Sequence, residues 1–344
     1  MMKNKIIVTG GCGYIGSHTA IELIDNNFEV VILDDLSNAT EETIIRIGKI
    51  TGTTPTFIKV DLKDAAATLK VFADHKDAVG VIHFAAHKAV GESVQKPLLY
   101  YKNNFYSLLN TLEAQSKYEI NNFIFSSSAT VYGTPDTLPI TEDNKTQRPF
   151  SPYGNTKKVA EEILQDFTQA KHDFSAISLR YFNPIGAHDS GDIGELPNGI
   201  PNNLMPYITQ TAAGVREKLK VFGNDYPTKD GTPIRDYIHV VDLAKAHVIA
   251  LQRLLNKKHE QPLEFFNLGT GVGYSVLDVI HSFESVTNLK LNYEITDRRD
   301  GDVPQLYAST DLAKEKLGWV AEKELNDMIS SSWNWEKNLR NNTN

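Results

Sequence analysis

Apolar and polar positions come in blocks along the first half of the chain. Residues 6–9 (Ile-Ile-Val-Thr) form a short β-branched run that stops at Gly10 and Gly11. Further runs occupy residues 29–33, 56–60, 79–84, 123–127 and 175–181, two of them ending at acids, Asp34 with Asp35 and Asp61. Runs of this length and composition read as strands buried on both faces. Helical stretches fit between them, for example residues 17–26 and 104–117. Strands and helices in alternation predict an α/β fold, a doubly wound parallel sheet with helices on both sides.

The rhythm changes after Tyr181. Residues 183–203 are rich in Gly, Pro and Asn and read as a long loop, a length that in compact domains usually serves function. Mixed elements follow at residues 219–222, 236–240 and 264–268, with a last helix near 325–339. A boundary at residue 180 divides the chain into segments 1–180 and 181–344, the second a smaller mixed α/β domain. Some later strands are free to rejoin the first sheet.

Composition narrows the function. The 344 residues carry a formal charge of −8, which argues against non-specific nucleic-acid binding. The single cysteine, Cys12, excludes an intramolecular disulfide and fits a reducing compartment. The N-terminal residues lack the apolar core of a signal peptide, and no apolar run approaches the ~18 residues of a membrane span. A cytoplasmic protein is expected. His83 and His87 follow an apolar strand without ligand spacing, so no metal is expected.

The first strand runs into Gly10-Gly11-Cys12-Gly13-Tyr14-Ile15-Gly16. Glycines at 10, 13 and 16 suit the tight turn, the approach of a pyrophosphate, and close helix packing of a Rossmann dinucleotide site. The N–H groups of the following helix would face the phosphates. Asp34 ends the second strand 18 residues beyond Gly16, where an acid grips a ribose 2′-hydroxyl. It would repel a 2′-phosphate, so NAD is favoured over NADP.

Candidate chemistry lies in residues 151–157, Ser-Pro-Tyr-Gly-Asn-Thr-Lys. Ser-Pro reads as a helix N-cap with proline at the first position, which places Tyr153 in the first turn. Lys157, four residues on, shares its face. A free tyrosine, with a pKa near ~10, is a poor base at neutrality. Bringing it to about 7 takes roughly 4 kcal/mol. An ammonium roughly 5 Å away supplies on the order of 3 kcal/mol, and the helix N-terminus up to about 1. Such a pair can take a proton from an alcohol.

With the glycine loop and the Tyr–Lys pair together, the chain resembles the extended short-chain dehydrogenase/reductase superfamily. Residues 84–94 (Phe-Ala-Ala-His-Lys-Ala-Val-Gly-Glu-Ser-Val), 125–133 (Phe-Ser-Ser-Ser-Ala-Thr-Val-Tyr-Gly) and 180–184 (Arg-Tyr-Phe-Asn-Pro) are similar to the UDP-glucose 4-epimerase family within it. So are 199–206 (Gly-Ile-Pro-Asn-Asn-Leu-Met-Pro), 222–227 (Phe-Gly-Asn-Asp-Tyr-Pro) and 235–240 (Arg-Asp-Tyr-Ile-His-Val). The resemblance runs from about residue 5 to 336.

It implies tightly held NAD that is not consumed, a UDP-sugar substrate and a place in galactose metabolism. Tyr153 would take the proton of the sugar 4-hydroxyl as hydride leaves C4, the 4-keto sugar would turn over, and hydride would return to the opposite face. Ser128 would bond the 4-oxygen, and Lys157 would lower the Tyr153 pKa and hold the nicotinamide ribose. By the same resemblance Gly10, Gly13, Tyr14, Ile15, Gly16, Asp34, Asp35, Asn38, Asp61, Leu62, Phe84, Lys88, Asn103 and Tyr181 bind NAD. Arg235 and Arg299 would clamp the pyrophosphate, as suits a guanidinium. Asn183, Asn203, Leu204, Phe222, Tyr237 and Asp302 would surround the rest of the sugar nucleotide. Leu306 aligns with a gate position that varies between a bulky tyrosine and a smaller residue. Its intermediate size implies UDP-glucose and UDP-galactose as the main pair, with tolerance of N-acetylated sugars. Family members are usually homodimers; the helices at residues 104–117 and 151–170 are the candidates here.

Rival readings remain at this stage. A sugar-nucleotide 4,6-dehydratase needs an acid where this chain has Ala129 and Thr130. A UDP-sugar dehydrogenase would release reduced cofactor. A non-catalytic dinucleotide-binding regulator would be free to lose Ser128, Tyr153 or Lys157.

Overall fold

The computed structural model describes residues 3–299 and 302–341. Its first half alternates strand and helix: β1 Lys5–Thr9, α1 Tyr14–Asp25, β2 Glu29–Asp34, α2 Glu42–Thr51, β3 Thr56–Lys59, α3 Ala65–Asp74, β4 Ala78–His83, α4 Val90–Gln95, α5 Pro97–Tyr118, β5 Asn122–Ser126, α6 Pro152–Ala170 and β6 Ser175–Tyr181. The second half continues with β7 Asn183–Ile185, α7 Leu204–Ala212, β8 Leu219–Phe222, β9 Ile234–His239, α8 Val240–Leu255, β10 Leu263–Leu268, β11 Gly273–Ser275, α9 Val276–Thr287, β12 Tyr293–Thr296, β13 Gln305–Leu306 and α10 Leu325–Asn341.

The seven-stranded sheet has the order β10-β6-β5-β4-β1-β2-β3. From β3 through to β6 every pairing is parallel. The fold is therefore the doubly wound α/β sheet that the apolar runs predict. The order reverses beside β1, where β2 lies on one side and β4 on the other. That reversal is the switch point at which such sheets bind ligands, and the glycine loop leaves the sheet there.

The chain forms two units, each discontinuous in sequence. One comprises residues 1–133, 145–181 and 244–266; the other comprises 134–144, 182–243 and 267–344. The first unit has a core of aliphatic and aromatic side chains from the sheet and its helices, including Ile7, Val31, Val81, Leu108, Leu112, Phe123, Leu164 and Phe174. The second has its own core around Ile208, Val221, Tyr237, Ile280, Phe283, Met328 and Ile329. Its β9 pairs with β7, β11 and β13, and β8 pairs with β12.

Most element boundaries shift from the sequence reading by one or two residues, and three differences are larger. Helix α1 starts at Tyr14, not 17, because the chain turns directly out of Gly13, whose extended backbone serves as the cap without any side-chain bond. Helix α5 starts at Pro97, at its first turn, rather than at 104. The expected loop 183–203 begins with a strand, β7, stabilised by parallel pairing with β9 from far along the chain. Among the described residues no helix is long and apolar enough to cross a membrane.

Candidate active site

The glycine loop is shaped by contacts that exclude side chains. Gly10 has φ +66°, and a Cβ there would stand 2.7 Å from the Ala85 backbone nitrogen. A Cβ on Gly16 would lie 2.4 Å from the Gly10 carbonyl oxygen, so α1 packs directly on the loop. Gly13 meets only the Gly10 oxygen, at 3.3 Å, and leaves the start of α1 accessible on its other side. Tyr14 and Ile15 open that helix, and the Lys88 ammonium lies 5.9 Å from the Tyr14 ring centre.

Asp34, at the end of β2, accepts from the Cys12 N–H at 3.0 Å and the Leu36 N–H at 2.9 Å. Burial raises its pKa, opposed by those two N–H groups. Asp35 accepts from the Ser37 N–H, and Asn38 is exposed beside it. Asp61 follows β3 and pairs with Lys63, whose ammonium also reaches Asn103 on α5 at 3.1 Å. Leu62 is buried. Phe84 follows β4 and packs on His247, as does Tyr181 at the end of β6. The sequence-predicted dinucleotide residues thus follow β1, β2, β3 and β4, with Asn103 on α5 and Tyr181 at the end of β6. A cradle that a Cβ would fill, a helix start and an acid at the second strand fit NAD.

Helix α6 carries the candidate pair Tyr153 and Lys157. The Ser151 hydroxyl accepts from the Gly154 N–H at 3.1 Å, and Pro152 occupies the first turn. Tyr153 and Lys157 are both buried. Ser128 caps the short helical turn Ala129–Tyr132 after β5. Its hydrogen bond to Tyr153 favours the phenolate. Lys157 donates to the Ser126 carbonyl and sits 4.9 Å from the Phe125 ring centre. Ser126 in turn shares a hydrogen bond with the Tyr181 hydroxyl.

Here the structure corrects the sequence arithmetic. Burial pushes Tyr153 up to about 12, and the Ser128 bond only partly opposes it. Burial also pulls Lys157 down to about 7, against the Glu161 carboxylate. Desolvation of both partners opposes the favourable Coulomb energy expected of the pair. The Ser128 hydrogen bond favours the phenolate, and burial opposes it more strongly.

In the second unit, strand register relates four of the remaining candidates. On β9, Arg235 and Tyr237 are two residues apart and so share a face. Leu306 on β13 pairs with Arg235, and Asn183 on β7 pairs with Tyr237. Asp302 accepts from Arg235 and, at 3.0 Å, from Arg299. The Arg299 guanidinium lies 5.9 Å from the ring centre of Phe222, which is half-exposed at the end of β8. Asn203 precedes α7 and donates to Glu195 at 2.6 Å, and Leu204 opens that helix.

Sequence reasoning missed a buried group beside the Tyr–Lys pair: Glu161, Arg180, Ser127 and Ser178. The available signal was Arg180 inside a predicted buried strand, since a buried guanidinium requires an acid.

A glycine-cradled dinucleotide loop with a buried Ser–Tyr–Lys set marks an NAD-dependent enzyme of the extended short-chain dehydrogenase/reductase class. The family model described as GDP-mannose 4,6 dehydratase matches residues 7–332. The UDP-glucose 4-epimerase of Bacillus subtilis (strain 168) is 52% identical over 331 residues, which are 96% of each chain. The crystal structure of a UDP-glucose 4-epimerase from Stenotrophomonas maltophila, with bound NAD and formylated UDP-arabinopyranose, superposes with a TM-score of 0.95 at 45% identity, covering 99% of this chain and 100% of that one. That of the Bifidobacterium longum enzyme, in complex with NAD+ and UDP, gives 0.94 at 45% identity, covering 98% and 99%. The chain belongs to the UDP-glucose 4-epimerase family.

Proposed function

We propose that this protein interconverts UDP-glucose and UDP-galactose by inverting C4 through a transient 4-keto sugar. The observation that carries the reading is the buried Ser128–Tyr153–Lys157 set followed directly by Ala129 and Thr130. A dehydratase requires an acid there, and Ala129 is buried and apolar while the buried Thr130 hydroxyl has no hydrogen-bond partner among the described residues. Oxidation at C4 therefore has no elimination to lead into, and reversal is the outcome.

Bound NAD supplies the hydride acceptor and donor, and the positive charge of its oxidised form. Tyr153 takes the proton from the 4-hydroxyl and later returns it to the same oxygen. Ser128 bonds that oxygen and keeps it aligned with the phenol. Lys157, fixed by the Ser126 carbonyl, supports the phenolate and donates to the nicotinamide ribose. Gly10, Gly13, Gly16, Tyr14 and Ile15 seat the pyrophosphate of NAD; Asp34, Asp35 and Asn38 hold its adenosine end. Asp61, Leu62, Phe84, Lys88, Asn103 and Tyr181 complete its surroundings. In the second unit Arg235 and Arg299 hold the UDP pyrophosphate, with Asn183, Asn203, Leu204, Phe222, Tyr237 and Asp302 around the nucleotide. Anchoring UDP rather than the sugar leaves the 4-keto ring free to turn.

Leu306 is smaller than tyrosine, which supports turnover of the N-acetylated pair at a lower rate. Exposed Leu98, Leu99, Tyr106 and Leu109 on α5 support a homodimer through that helix and α6. A single buried cysteine accords with a cytoplasmic enzyme.

The test is to mix purified protein with UDP-galactose and no added cofactor. UDP-glucose should form until the two sugars equilibrate. Stoichiometric accumulation of NADH would instead identify a dehydrogenase, and no product would leave a binding protein.

A further inference from the structure

We propose that Glu161 is a positioning residue, a buried carboxylate on α6 that sets where Ser128 stands relative to Tyr153 and Lys157. Glu161 lies one turn beyond Lys157 and two beyond Tyr153. One carboxylate oxygen accepts from the Ser127 hydroxyl at 2.7 Å, the Ser178 hydroxyl at 2.7 Å and Arg180 Nε at 3.0 Å. The other accepts from Arg180 Nη2 at 2.8 Å and Nε at 3.2 Å. Arg180 extends the reach. Its Nη1 donates to the Tyr132 hydroxyl at 2.9 Å, and its guanidinium lies against the Tyr132 and Phe265 rings, 5.0 and 4.4 Å from their centres.

The connectivity is what assigns the role. Ser127 precedes Ser128, and Tyr132 ends the helical turn that Ser128 caps. The carboxylate therefore grips that turn directly at one end and through Arg180 at the other. The same residue is rigidly part of the helix that carries Tyr153 and Lys157. A buried ion pair needs only Arg180 and further donors of any origin to be satisfied. Here one of the donors is the immediate neighbour of the serine that must meet the sugar oxygen. A displacement of that serine by about 1 Å is enough to slow an enzyme on the order of 10²-fold.

Two hydroxyls on the same oxygen make the test. Ser127→Ala and Ser178→Ala each remove one hydrogen bond from Glu161, but only Ser127 borders the Ser128 turn. Both variants should lower the melting temperature by similar amounts. Ser127→Ala should lower kcat for UDP-galactose by about tenfold or more, with KM changed less than about twofold. Ser178→Ala should leave kcat within about twofold of the parent, and Ser127→Thr, which keeps the hydroxyl, should restore most of the loss. Unchanged kcat in Ser127→Ala, or equal kcat losses in both alanine variants, would overturn the proposal. The inference rests on the roles given to Ser128, Tyr153 and Lys157. Failure of that reading would show separately, as full turnover by Tyr153→Phe.

Discussion

Burial of Tyr153 opposes a charge on its hydroxyl, so the base proposed there would depend on its neighbours. Replacing it by phenylalanine keeps the buried ring and removes only the hydroxyl. Tyr153→Phe is expected to bind NAD and UDP like the parent and to lose epimerisation by about two to four orders of magnitude, checked by turnover alongside UDP titration. The shared helical face of the pair was legible from the four-residue spacing after a Ser-Pro start, whereas its catalytic reading needed the glycine loop and the family resemblance. Its energetics were not, because desolvation depends on the tertiary burial of Tyr153 and Lys157. Glu161 was hidden for a related reason. On a helix with Glu162 beside it, a glutamate looks solvated until Arg180 is seen within 2.8 Å.

At the scale of elements, helix α6 shows how local sequence sets a reactive geometry. Ser151 and Pro152 fix where the first turn begins, and Thr156 locks it by donating to the Tyr153 carbonyl at 2.7 Å while accepting from Asn104 of α5 at 2.9 Å. Ser151→Ala removes the cap and should cost about 1 kcal/mol of stability, read from urea unfolding. It should also lower kcat more than KM if Tyr153 is the base, since fraying begins two residues from it. Capping chemistry made this helix readable in advance. The starts of α1 and α5 were less so, for α1 has no capping side chain and Lys96 before α5 makes no cap bond. Strand β7 had no local signature, and its pairing with β9 spans more than fifty residues of sequence.

At the scale of the whole molecule, buried ionisable groups link stability to pH. His83 lies in the sheet, fully buried, bonded to the Thr9 hydroxyl at 2.8 Å. Burial and the Lys157 charge take its pKa from the usual 6.5 down to about 3. The unfolded chain binds a proton at His83 below pH 6.5 that the folded chain refuses until about 3. Its contribution to stability is therefore complete above pH 6.5 and is lost as the pH falls. The loss is about 1.4 kcal/mol per pH unit. The urea midpoint should fall between about pH 7 and about pH 5, and His83→Asn should flatten that dependence by about one proton's worth. The parallel sheet was legible at this scale, since strands buried on both faces announce themselves as apolar runs. The division into units was harder to read, because residues 134–144 and 244–266 each group with a unit other than that of their sequence neighbours.

The chain's one sulfur lies where it can report on the cofactor loop. Cys12 is buried between Gly11 and Gly13, its backbone N–H is held by Asp34, and its pKa is raised by burial and by that carboxylate. A thiol so placed is inert to an alkylating probe while the loop is closed. Labelling therefore proceeds only through excursions that open the segment, and its rate times those openings without any engineered tag. If the rate responds to mild urea less steeply than global unfolding does, the loop opens as a local unit. A saturating dinucleotide would then protect it in proportion to the fraction of molecules it occupies.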